Sequence, residues 1–277
     1  MHSIIFRALR LLLCVALLIG VTVHAANDPV LQLQLNNQKQ KLARADLLRL
    51  PATRTITIPD DPVYKRTMTY TAVPLSAILR DIRSFHSLQF KAADGFAADI
   101  PVNLLLSASE PWIAIEPAGK PWPEVKPGGP SAGAFYLVWL APEKSGITPE
   151  QWPFQIVSIS DVAPLQQRYP QIVPDAATDS PAYRGMQVFA MQCAVCHRIN
   201  GGGDGTIGPD LNKPFNPTEY FQEDFLRKLI RDPASVRTWP QSVMPGFSES
   251  TLSSVQLDDL LAYLRQIARQ KTPVRPE

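Results

Sequence analysis

The sequence predicts an α+β protein with two unlike domains: a mixed α+β domain in front and a small all-helical domain behind. Three observations predict this. Apolar and polar residues alternate with period two in several short runs between 54 and 162, as half-buried strands require. Most of the 27 prolines of the 277-residue chain lie between 29 and 174, which marks a loop-rich region. Past the Pro- and Asp-rich stretch YPQIVPDAATDSP (169–181) the apolar spacing becomes helical.

The elements follow in order. Residues 31–50 read as a polar, Gln-rich segment leading into a short helical pattern on Leu42, Leu47, Leu48 and Leu50. TRTITIP and YKRTMTYTA alternate on either side of DDP and predict a β-hairpin. PLSAILRDI places Leu75, Ile78, Leu79 and Ile82 on one helical face. LQFKAADGFAADIPVNLLL reads as strand, turn, strand and helical turn, with Asp94-Gly95 at the turn. PWIAIEP, AFYLVWLAP and FQIVSISDV are further strands, the second apolar enough to be buried on both faces. Behind the linker, Ser180 and Pro181 are the expected cap and first position of a helix running into MQC. TEYFQEDFLRKLIRD predicts one helix with Phe221, Phe225, Leu229 and Ile230 on its stripe, ended by Pro233. The last helix carries Leu257, Leu260, Leu261, Leu264 and Ile267, with Ser253 and Gln256 as a capping box. The expected division is 1–25 leader, 26–168 front domain, 169–180 linker and 181–277 helical domain.

The N-terminus has Arg7 and Arg10, an apolar run from Leu11 to Val23, and small residues around Ala25. This is the pattern of a secretory signal peptide cut near Ala25, and it predicts a periplasmic protein. Membrane association follows only if the segment stays uncleaved. Cys14 follows Leu13, which does not suit a lipid-attachment site. Without the leader's two arginines the 25 acidic residues are balanced by as many basic ones. No basic field is left to hold nucleic acid. Cys193 and Cys196 are then the remaining cysteines, so any disulfide framework is limited to that pair.

Those two cysteines open the stretch CAVCHRINGGGDGTIGPDL. Zinc needs four ligands as a structural site, and beyond this cluster the exported chain offers His86 alone among His and Cys. Gly203, Gly205 and Gly208 match G-x-G-x-x-G, but no strand precedes them and Pro209 stands where a phosphate-binding helix should begin. A redox dithiol would expect a thioredoxin-like βαβ setting, whereas these flanks are helical. A c-type haem site uses every residue: Cys193 and Cys196 form thioethers to the haem vinyl groups, and His197 ligates iron. The second axial ligand is expected from Met244, in SVMPGF before the last helix. Met186 and Met191 lie on the attachment helix itself, and Met68 lies in the front hairpin. Thioether ligation favours Fe(II) and raises the potential.

Residues 181–271 resemble class I c-type cytochromes. The resemblance rests on Gly185 and Phe189 before CAVCH, GPDL at 208–211, MPGF at 244–247 and a last helix with Tyr263. It implies that the first and last helices cross at Gly185, Phe189 and Tyr263. It also implies that the Pro209 carbonyl accepts a hydrogen bond from His197. One covalent haem c and a redox partner protein are the implied cofactor and partner.

Residues 41–165 resemble the molybdopterin-binding domain of the sulfite oxidase family, in LLRLPATRTITI, VPLSAIL, AADGFAADIPVNLLL, PGGPSAGAFYLVWL and FQIVSIS. That family holds molybdenum through a cysteine thiolate, and residues 26–168 contain no cysteine. The expectation is therefore a domain that keeps the fold, binds no molybdopterin, and serves docking or ligand binding. The expected function is single-electron transfer through a His/Met haem with no catalytic residues. The alternative is a sulfite-oxidase-like dehydrogenase with its own cytochrome acceptor. Trp112, Trp122, Trp139 and Trp152 are expected in the front domain's packing, with Trp122 the one suited to an interface. His86 is expected to be solvated rather than a metal ligand. Arg237 and Trp239, ahead of the Met244 loop, are candidates for contact with a haem propionate.

Overall fold

A computed structural model describes residues 28–238 and 242–271. The expected leader and Trp239 fall outside the described residues. β1 (Val30–Leu35) and β2 (Gln38–Ala43) form an antiparallel hairpin, and α1 (Arg44–Leu48) follows. Asn36 and Asn37 close the hairpin with φ of 50° and 61°, the conformation a two-residue hairpin turn needs and asparagine tolerates. The sequence reading treated this stretch as polar segment and helix. Its alternation was present in Leu31 and Leu33, which are buried, but the intervening glutamines obscured it.

β3 (Arg54–Asp61) and β4 (Arg66–Pro74) are the expected hairpin, in register Ile56 with Tyr70 and Ile58 with Met68. Asp61 is buried at its tip. Its carboxylate accepts hydrogen bonds from Val63 N (2.9 Å), Tyr64 N (2.8 Å) and the Tyr70 hydroxyl (2.8 Å). α2 (Leu75–Ile78) is a single turn, shorter than the predicted helix. Leu79 is already extended and Asp81 is left-handed, so Leu75, Leu79 and Ile82 are buried from an irregular backbone.

β5 (Ser87–Ala92), β6 (Ala97–Pro101) and α3 (Val102–Leu105) match the expected strand, turn, strand and helical turn. β7 (Pro111–Ile115), β8 (Phe135–Trp139) and β9 (Ile156–Val162) complete two sheets. One runs β2-β1-β9-β5-β6, antiparallel except for β1 with β9. The other is the antiparallel set β3-β4-β7-β8. Leu31, Phe90 and Ile159 from the first meet Ile56, Tyr70, Ile113 and Leu137 from the second in one apolar core. Every residue of β8 is buried, as its unbroken apolar run requires. Trp112, Trp139 and Trp152 are core residues, whereas Trp122 is half-buried and meets Tyr70 edge-on at 4.8 Å.

α4 (Leu165–Arg168) leads into the predicted linker, which packs onto a second core through Tyr169, Ile172 and Val173 while 177–179 are exposed. Ile172 is fully buried in that core, and its carbonyl accepts the Tyr263 hydroxyl at 2.7 Å. α5 (Pro181–Val188) starts as expected: Ser180 Oγ accepts from Tyr183 N, and Pro181 follows. The predicted helix over 218–232 is two pieces, α6 (Pro217–Tyr220) and α7 (Glu223–Arg231). Phe221 and Gln222 are extended between them. Asn216 closes a capping box on α6, and Glu223 and Asp224 open α7 against its dipole. The break rotates the stripe, so Phe225 is exposed while Leu226 and Ile230 are buried. α8 (Pro233–Val236) begins at the proline that ends α7, and α9 (Ser254–Ala268) carries the predicted stripe and capping box.

Candidate haem-attachment site

The site grows from the crossing of α5 and α9. Gly185 permits that crossing, because a Cβ there would overlap the Asp259 carbonyl and the Tyr263 side chain. Arg184 clamps Asp259 with two hydrogen bonds of 2.8 Å, and the Phe189 and Tyr263 rings lie 5.7 Å apart. α5 then widens into a π-turn over Phe189–Cys193. A π-turn shifts the residues after it around the helix axis, which re-aims the segment that begins at Cys193. Cys196 N and His197 N both return to the Cys193 carbonyl, at 3.1 and 2.8 Å. One tight turn therefore holds both thiols and the imidazole.

No disulfide joins Cys193 and Cys196. Burial, with the Glu150 carboxylate next, pushes the Cys193 thiol up to about 12. Burial, with Asp94 and then Glu150, does the same for Cys196. His197 Nδ1 lies 2.8 Å from the Pro209 carbonyl oxygen, and burial lowers the pKa of the ring. Gly208 allows the loop to lie flat against the imidazole, because a Cβ there would overlap the ring. Asp210 fixes the GPDL loop by accepting from Gly201 N (2.6 Å), Asn212 N (2.8 Å) and Asn200 N (3.2 Å). The donor set is two thiols, an imidazole and the half-buried thioether of Met244 at the edge of the second core. That set, with a glycine cradle around the histidine, fits a thioether-bound haem.

The structure brings Cys193, Cys196, His197 and Pro209 together and places Met244 on the second core. The Met244 loop is tied down by Arg231, whose Nη1 donates to the Phe247 carbonyl (2.9 Å) and also to that of Leu252. Arg237 is exposed. His86 is exposed, with Nδ1 2.9 Å from Ser87 Oγ.

Sequence reasoning missed three groups. Asn200, Asn212 and Asn216 form a buried amide chain ending on α9: Asn212 Nδ2 donates to the Ile267 carbonyl (2.8 Å) and Asn216 Nδ2 to that of Leu264 (3.1 Å). A second group locks the two cores together. Arg168 pairs with Asp99 of β6 and with Asp204 of the haem loop, Tyr169 OH donates to Asp204 (2.6 Å), and Gln89 reaches both carboxylates at 2.9 Å. The third is a front-domain turn laid on the attachment segment. Thr148 Oγ1 donates to Gln192 Oε1 (3.3 Å) and Gln151 Nε2 to Met191 Sδ (3.1 Å). Ala97 N also donates to the Val195 carbonyl at 3.0 Å. Apart from Asn212 with Asn216 and Gln89 with Asp99, these partners lie twelve or more residues apart, so no local spacing announces them.

Residues 182–268 match the family described as cytochrome c. The chain is 30% identical over 112 residues to cytochrome c2 of Blastochloris viridis, covering 34% of this chain and 83% of that protein. It is 31% identical over 94 residues to cytochrome c-553I of Paracoccus denitrificans, covering 34% of this chain and 40% of that protein. It is 30% identical over 103 residues to a cytochrome bc1 complex cytochrome c subunit of Corynebacterium diphtheriae, covering 36% of this chain and 31% of that protein. Among the described residues no helix is long and apolar enough to cross a membrane.

Proposed function

The chain belongs to the cytochrome c family, which implies a covalently bound haem c, and on that premise we propose an exported single-electron carrier whose front domain docks a redox partner. Cys193 and Cys196 would hold the haem through thioethers, His197 and Met244 would ligate its iron, and the Pro209 carbonyl orients the histidine. The bound haem supplies a one-electron Fe(III)/Fe(II) couple. The chain's own residues fix the imidazole, wall off water and choose a soft second ligand that favours the reduced state.

The observation that carries this reading is the single turn holding Cys193, Cys196 and His197 against Pro209. The N-terminal leader pattern supports export to the periplasm. A docking role for the front domain is supported by its hold on the haem loop through Arg168, Asp99 and Asp204, which keeps the two cores in one arrangement. Its relation to the sulfite oxidase fold rests on sequence pattern, and its lack of cysteine argues against molybdenum.

The test is iron and molybdenum analysis of the protein matured in a host that makes both cofactors. One covalent haem iron and no molybdenum is expected. Stoichiometric molybdenum would replace this reading with a dehydrogenase that carries its own cytochrome acceptor.

A further inference from the structure

A buried carboxyl of the front domain lies where the haem is attached. Glu150 belongs to the turn over 148–151 and is 6% exposed. Its Oε2 is buried with no hydrogen-bond partner among the described residues. Its neighbours on either side in that turn are bonded to Gln192 and Met191, the residues immediately before Cys193. A carboxyl oxygen buried without a partner is costly and calls for an explanation.

We propose that Glu150 is a redox-linked proton site, which binds a proton from solvent more tightly when the haem carries an electron and releases it when that electron leaves. This rests on the haem reading above. The balance is simple. A one-electron donor supplies the electron, Fe(III) becomes Fe(II), and the Glu150 carboxylate becomes a neutral carboxyl with a proton from water. No bond other than the O–H forms or breaks.

The physical cause is charge compensation in a poorly solvated place. Reduction removes one positive charge beside the carboxylate, so its proton affinity rises. A unit change of charge about 10 Å away, across protein of effective dielectric about 20, alters a proton affinity roughly tenfold. The groups that face Glu150 do not cancel this. Lys65, from the β3–β4 turn, favours the ionised form at a distance, and Thr148 favours it locally. Cys193 and Cys196 are the other titratable groups that Glu150 influences, and as thioethers they carry no titrating proton; Asp94 acts on Cys196. Burial outweighs the residue's own backbone hydrogen bond, Thr148 and Lys65, and raises the Glu150 carboxyl above its ordinary value.

The experiment is a spectroelectrochemical titration of the full-length haem protein from pH 4 to 9, on the wild type and Glu150→Gln. In the wild type the midpoint should fall with rising pH across one window and level off on both sides. The total drop should be about 59 mV for each tenfold change in proton affinity. Glu150→Gln, a neutral isostere, should be flat through that window and sit near the wild type's acid plateau. A flat wild type, or a slope that survives in Glu150→Gln, overturns the proposal. If the variant fails to mature, the wild type still decides by infrared difference spectroscopy. A protonated-carboxyl C=O band gained on reduction supports the proposal, and its absence overturns it. Loss of all covalent pigment in the wild type would overturn the haem reading and this proposal with it, and the absorption spectrum distinguishes that failure from a flat titration.

Discussion

His197 Nδ1 lies 2.8 Å from the carbonyl oxygen of Pro209. Nδ1–H donates to that oxygen, which leaves Nε2 as the lone-pair nitrogen and fixes the plane of the ring. A backbone acceptor cannot be removed by changing a side chain, so the arrangement is best disturbed through its neighbour. Gly208→Ala puts a methyl group into the imidazole. The ring must tilt or the loop must move. We expect a lower yield of covalent haem per protein and altered ferric electron-paramagnetic-resonance g-values. Wild-type g-values in Gly208→Ala would show that the loop yields without moving the ring.

Met244→Ala tests the second axial position. Loss of the thioether should abolish the weak far-red iron–sulfur band and lower the potential, since sulfur ligation favours Fe(II). The measurement is a ferric absorption spectrum with a redox titration. An intact band assigns the ligand elsewhere, with Met186 and Met191 the next to be replaced.

Cys193→Ala with Cys196→Ala should yield protein without covalent haem, read as pigment that extracts into acidified organic solvent. Either single variant should keep one thioether and shift the reduced α-band. Pigment that stays with the double variant would defeat the attachment assignment.

Asp204 gives a pH-dependent stability term. Burial alone would raise its carboxyl, but hydrogen bonds from Tyr169 and Arg168 outweigh that and hold it below the usual carboxylate range. Its folded pKa is therefore below the unfolded value near 3.9. The stabilisation is fully present above that unfolded value and is lost as pH falls through the lower folded one. Asp99 behaves in the opposite sense, because burial raises it more than Arg168 lowers it. Asp204→Asn should cost about 2 kcal/mol at neutral pH. In urea unfolding the gap between wild type and variant should stay constant from pH 5 to 8 and close below about pH 4. A gap that does not narrow at all as pH falls below about 4 would place the effect in packing rather than charge.

Asn212→Ala removes the middle of the amide chain: the buried Asn216 Nδ2 loses the Asn212 oxygen that accepts from it, and the tie from Asn212 Nδ2 to the Ile267 carbonyl is lost as well. Buried groups stranded in this way cost about 1–3 kcal/mol each. A fall of at least ~2 kcal/mol in unfolding free energy is expected, with the haem spectrum unchanged. A near-neutral result would mean that water replaces the amide.

The sequence by itself determined the local pieces. CAVCH, GPDL and MPGF each specify a short-range geometry, and the caps at Ser180 and Ser253 act within three residues. The stripe of α9 and the apolar run of β8 were legible for the same reason: periodicity is a property of neighbours along the chain. Where composition hid the period, as in the Gln-rich β1–β2 hairpin, or where two extended residues broke it, as at Phe221 and Gln222, the reading failed. Only the tertiary structure decided which distant groups meet. The pairing of Arg168 with Asp99 and Asp204, the seating of Glu150 beside Met191 and Gln192, and the asparagine chain beneath α9 each join residues far apart in sequence. Their energies come from burial and shared hydrogen bonds, which exist only after both cores have formed and which leave no period or spacing to read in advance.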